Sequence, residues 1–193
     1  MQVGSATNSS LNSLSSSLRL FTNKPFGDNP QVRDGSAGRF SITGGKLSFL
    51  HDNNASPREK NHFVTTKKPG NRFFAKVDVA TRFNKLSSST NSVGMVLKKQ
   101  DDKNFLAINL DSKNQVRFLK YENGNRSVLK TATLKEDVGR EFDMAVDVKG
   151  SKFTFYVNGE EVFTAKDSTF SGGEFGMGGF DIPANFENLE IYK

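Results

Sequence analysis

Residues 72–83, RFFAKVDVATRF, alternate strictly: Phe73, Ala75, Val77, Val79 and Phe83 fall on one side of an extended chain, Lys76, Asp78 and Arg82 on the other. A period of two marks a half-buried β-strand. Similar segments follow in close succession: VGMVLKK (93–99), NFLAINL (104–110), QVRFLKY (115–121), RSVLKTATL (126–134), EFDMAVDV (141–148), KFTFYV (152–157) and EVFTAK (161–166). Between several of them stand turn-rich segments, QDDK, DSKN and ENGN. Upstream, RFSITGGKLSFL (39–50) reads as two strands joined at Gly44-Gly45, and the chain closes with EFGMGGF and NFENLEIYK. Asn158-Gly159 suits a type I′ hairpin, in which both central residues need positive φ. The polar stretches HDNNASPREKNHF (51–63) and LSSSTNS (86–92) read as loops. Many short strands at roughly ten-residue spacing predict an all-β antiparallel sandwich or barrel.

The chain has 193 residues, enough for one domain with a sizeable core. Its formal charge is +6, from 27 Lys and Arg against 21 Asp and Glu. The basic residues are spread out, with the densest group at Arg58, Lys60, Lys67 and Lys68. That spread argues against nucleic acid as a partner, since nucleic-acid binders concentrate charge on one face, but an anionic polymer stays open on electrostatic grounds. With no cysteine, disulfides, thiolate catalysis and Cys-ligated metals are excluded. No apolar run approaches a membrane span.

The first 27 residues contain no acid, and seven of the first 17 are Ser. This resembles an organelle transit peptide in composition but lacks the apolar core of a secretory signal. Leu11, Leu14 and Leu18 fall on one narrow helical stripe. The expected division is therefore a Ser/Asn-rich arm over residues 1–24, docking on a protein neighbour through these leucines, and a sandwich over 25–193.

The segments VGMVLKKQDDKNFLAINLD, QVRFLKYENG, GREFDMAVDVKGSKFTFYVNGEEVFTAKDSTFSGGEFGMGGF and NFENLEIYK together resemble the concanavalin A-like jelly roll, in the style of laminin-G-like domains and of carbohydrate-binding modules attached to glycan hydrolases. The resemblance covers about residues 38–193. It implies a two-sheet antiparallel jelly-roll sandwich and, for function, glycan binding. Such folds host many activities, so function has to be argued from the site.

Glycosidases on this fold place three acids on alternate positions of one strand, so that two carboxyls flank the scissile bond. Here Glu141 and Asp143 are followed by Ala145, and the third acid is missing. His51 and His62, the only histidines, have no nucleophile spaced to partner them. No catalytic residues are expected. A calcium site, which the resemblance allows, would draw its oxygen ligands from Asp101, Asp102, Asn104 and Asp181. Sugar sites often stack a pyranose on an exposed Trp or Tyr; this chain has no Trp, three Tyr and 18 Phe, most of the Phe on inward phases. The polar alternative is Asn109, Arg117 and Tyr121, the last two sharing one strand face with Leu119.

The sequence thus leads to a non-catalytic interaction module, an accessory or decoration subunit of a larger assembly such as a virus particle. The alternative is a carbohydrate-binding, lectin-like module.

Overall fold

The computed structural model describes residues 20–22, 31–33, 40–43, 46–49, 61–65, 68–81, 91–180 and 182–193. Among the described residues fifteen strands follow one another: β1 (Leu20–Thr22), β2 (Gln31–Arg33), β3 (Phe40–Thr43), β4 (Lys46–Phe49), β5 (Asn61–Thr65), β6 (Arg72–Thr81), β7 (Ser92–Asp101), β8 (Asn104–Asp111), β9 (Gln115–Glu122), β10 (Asn125–Thr133), β11 (Glu141–Lys149), β12 (Lys152–Val157), β13 (Glu160–Lys166), β14 (Glu174–Phe180) and β15 (Ala184–Tyr192). No helix occurs among the described residues, so none is long and apolar enough to cross a membrane.

The strands form two antiparallel sheets. The first runs β13-β12-β11-β6-β15-β4-β3, with β1 also paired to β15; the second runs β10-β9-β8-β7-β14-β5-β2. Crossovers such as β11 onto β6, β15 onto β6 and β14 onto β7 bring chain-distant strands together. Both Asn-Gly turns have two consecutive residues at positive φ, Asn158 and Gly159 at 51° and 80°, Asn123 and Gly124 at 53° and 81°. These values suit the twist of the flanking strands. Two differences from the sequence reading stand out. Residues 61–65, whose first three lie in the polar stretch 51–63 that reads as loop, form β5 and pair with β14. Residues 20–22, within the stretch read as an arm, pair as β1 with β15. Leu11, Leu14 and Leu18 lie outside the described residues.

The core fills the space between the sheets. Phe73, Ala75, Val77 and Val79 of β6 join it, as do Phe142, Met144 and Val146 of β11 and Phe153, Phe155 and Val157 of β12. Across from them stand Val93 and Met95 of β7, Ile108 of β8, Phe118 of β9 and Phe175 of β14. Rings bridge the layers: Phe118 meets Phe153 at 5.1 Å between centroids, and Phe73 meets Phe175 edge-on at 5.6 Å. Alternation thus assigns the other half of each strand to the two outward faces, and those faces carry the remaining chemistry.

Candidate functional site

On the outward face of the second sheet, β8 and β9 pair Asn109 directly with Arg117. Two of the three expected sugar-site residues are thus brought side by side. Arg117 Nη2 stands 2.9 Å from Asp111 Oδ2 and also donates to Gln115 Oε1. The Asp111 side chain is 1% exposed, and its Oδ1 accepts the backbone N–H groups of Lys113 and Gln115. The tight β8–β9 turn therefore builds a buried carboxylate that fixes the guanidinium, whose side chain keeps a quarter of its surface open. Asn109 donates weakly to Ser92 Oγ at 3.4 Å.

Beyond Asn109 the sheet continues through Gly94 of β7 and Gly178 of β14, paired in register. The first glycine is required sterically: a Cβ there would stand 2.1 Å from the Ile108 carbonyl oxygen and 2.5 Å from Asn109 Oδ1. One guanidinium, one carboxamide, one hydroxyl and bare backbone suit a ligand rich in hydroxyl groups and lacking charge.

Tyr121, the third expected residue, is placed differently. Four residues along β9 put it about 14 Å from Arg117. It stacks on Phe105 of β8, with centroids 4.3 Å apart and planes at 14°. Both belong to an outward apolar cluster with Val96, Ala107 and Leu119. Burial pushes the Tyr121 hydroxyl's pKa up, and nearby Arg126 opposes the rise. Asp111 is not among the residues the sequence singles out, because it stands in the turn-rich segment DSKN; its signal is the i, i+6 spacing to Arg117 across a tight hairpin.

The expected calcium ligands are engaged by protein donors. Asp101 accepts Lys103 N–H and both of its oxygens accept Asn104 Nδ2, which pulls its pKa down. Asp102 Oδ1 pairs with Lys99 Nζ at 2.6 Å, and Asn104 Oδ1 accepts Asn123 N–H. These bonds close the β7–β8 hairpin and tie it to the β9–β10 turn through Asn123, and a cation there would compete with them. Asp181 lies outside the described residues. Among the described residues, no three His, Asp or Glu side chains converge as a metal cluster.

Glu141 and Asp143 occupy the outward face of the first sheet, with Phe142 and Met144 inward. Glu141 lines an open cleft of about 390 Å³ with Arg140, Thr81 and Asn185. Asp143 instead pairs across strands with Asp78, which is followed on β15 by Glu187. Burial raises the Asp143 pKa, Lys76 and the Gly159 N–H lower it, and Asp78 adds to the rise. Where the glycosidase pattern carries its third acid, Ala145 is fully buried.

No protein-family model matches the chain. Its structure superposes on the carbohydrate-binding module CBM66 from Bacillus subtilis with a TM-score of 0.68 at 22% identity, over 85% of this chain and 95% of that one. A Bacillus licheniformis β-glucanase aligns with a TM-score of 0.61 at 15% identity, over 91% and 98% of the two chains. A Bacillus subtilis protein of galectin-like fold aligns with a TM-score of 0.62 at 10% identity, over 90% and 96% of the two chains. The fold is the concanavalin A-like jelly roll. In sequence, 96 residues are 34% identical to the levanase of Bacillus subtilis strain 168, which is 49% of this chain but only 14% of the levanase. About half of this chain is therefore matched, and it spans only a small part of that relative's length.

Proposed function

We propose that this jelly roll is a non-catalytic carbohydrate-binding module that recognises a neutral glycan. Two comparisons support the reading together: a carbohydrate-binding module as a structural neighbour over nearly its whole length, and a sequence match to a levanase confined to a fraction of that enzyme. They favour the carbohydrate alternative over the assembly role.

The site we assign lies at Arg117 and Asn109 beside Gly94. The Arg117 guanidinium donates to sugar hydroxyl oxygens, and Asp111 holds it in place. Asn109 offers one donor and one acceptor to neighbouring hydroxyls. Alanine in place of the third acid, on the opposite sheet, supports a binding rather than a hydrolytic role.

Affinity electrophoresis and calorimetry against levan, with a mixed-linkage β-glucan as the second polymer, test the reading. Arg117→Ala is expected to weaken binding about tenfold or more, the scale of one charged hydrogen bond lost. Release of reducing ends from either polymer would overturn the non-catalytic reading. Retention of full affinity by Arg117→Ala would overturn the site.

A further inference from the structure

At the end of the first sheet that holds the β11–β12 turn, four cations stand in one continuous row. Lys166 of β13 pairs with Lys152 of β12, Lys152 with Lys149 of β11, and Lys149 with Arg72 of β6. Alternation points all four outward, because the neighbours Phe73, Val148 and Phe153 lie in the core and Ala165 packs against it. All four are exposed. Like charges directly opposite on neighbouring strands repel. Two acids are close by, and both are already engaged: Asp147 with Lys149 Nζ at 2.6 Å, and Asp167 with the N–H and hydroxyl of Thr169. Among the described residues, Arg72, Lys152 and Lys166 have no ion pair.

We propose that this row binds a linear polyuronate, a polysaccharide with one carboxylate on each ring. The cations repeat at the strand spacing and span about 14 Å over three intervals. A polymer crossing the strands thus meets one cation per strand, unpaired on β6, β12 and β13 and shared with Asp147 on β11, much as it presents one carboxylate per sugar. The adjoining row adds two partly open groups, Thr164 and Tyr192, beside the buried Thr154, Asp147 and Phe74. Thr154 and Thr164 pair and share a hydroxyl–hydroxyl hydrogen bond at 2.9 Å. Phe74 pairs with Tyr192, and the tyrosine ring keeps part of its surface open. Phe74 and Tyr156 beside it are buried, at 1% and 9% exposure, so no series of open rings stands ready to stack nucleobases. This surface lies on the opposite sheet from Arg117 and does not depend on the neutral-glycan reading.

The test is calorimetry of the full chain at low salt against de-esterified polygalacturonate, its methyl-esterified form and duplex DNA. Lys152→Gln/Lys166→Gln alters two exposed side chains, and circular dichroism checks that the variant folds. Binding to polygalacturonate alone is expected. It should weaken with added salt, as contacts between exposed charges do, and the double variant should lower affinity about tenfold. Three results would overturn the proposal: no binding to polygalacturonate at low salt, equal binding of the esterified polymer or of DNA, or full affinity in the double variant. Arg117→Ala should leave polygalacturonate binding intact, and the double variant should leave levan binding intact. Failure of one site is thereby distinguished from failure of the other.

Discussion

Lys98 sits where alternation would send its side chain to solvent, between Leu97 and the turn at Asp101. A register shift in that stretch and a φ of 49° turn it inward instead. Its Nζ lies 5.1 Å from the Phe153 ring centroid and donates to the Gly150 and Phe170 carbonyls at 2.8 and 3.0 Å. One cation thus ties the β11–β12 turn to the loop before β14. Lys98→Met leaves both carbonyls without this donor and should cost about 1–3 kcal/mol in urea unfolding. Burial holds the Lys98 pKa below 10.5. The unfolded chain therefore binds more protons between the lowered value and 10.5, and Lys98's contribution makes stability rise with pH across that window. The methionine variant should lose that rise. Asp143 runs the other way. Its raised pKa means that the fold takes up a proton more readily than the unfolded chain, so its contribution falls as pH climbs from 3.8 through the folded value. Asp143→Asn should raise the melting temperature at pH 7 by up to about 4 °C, the scale of one like-charged cross-strand pair, and should flatten the acid limb. A melting temperature lowered at pH 7 would contradict this account.

Strands and turns were legible where a local signal determines them. The alternation read in β6 places Phe73 in the core, the same pattern does so for Met144 of β11 and Phe155 of β12, and the two Asn-Gly pairs make the turns expected. β5 was hidden because Asn61 and His62 look like loop residues, and only pairing with β14 makes them strand. Non-local registry was equally invisible. Nothing local in β11 says that Asp143 faces Asp78, or that Lys149 is flanked by Arg72 and Lys152. The residues of the candidate sugar site were partly legible: the sequence groups Asn109, Arg117 and Tyr121, and the fold pairs the first two but stacks Tyr121 on Phe105. Gly94 tests whether β7 and β8 must approach as closely as they do. The Cβ of Gly94→Ala would meet backbone oxygen at 2.1 Å, so the strands must separate. A loss of about 1–3 kcal/mol is expected, with weaker levan binding because Asn109 moves with β8.

Taken whole, the sandwich has two outward faces of different character around one core, and its three tyrosines sample both. Tyr121 lies on the face that carries Arg117; Tyr156 and Tyr192 lie on the face that carries the basic row. All three hydroxyls have raised pKa values, chiefly through burial. Tyr192 reaches about 12 because its O–H also donates to Glu190 Oε2 at 2.7 Å, beside that carboxylate's charge. In the unfolded chain all three ionise near 10. The fold therefore keeps protons that the unfolded chain loses, so the tyrosine contribution to stability is complete below pH 10 and declines as pH rises from 10 toward 12. The chain has no Trp to obscure tyrosinate absorbance. A spectrophotometric titration of the folded protein should show its whole transition displaced above 10, and urea should return it to 10. Tyr192→Phe should remove about a third of the amplitude, taken from the most alkaline end. A folded protein whose tyrosines all titrate at 10 would mean that these rings stand open to water, and both outward faces would then have to be redrawn.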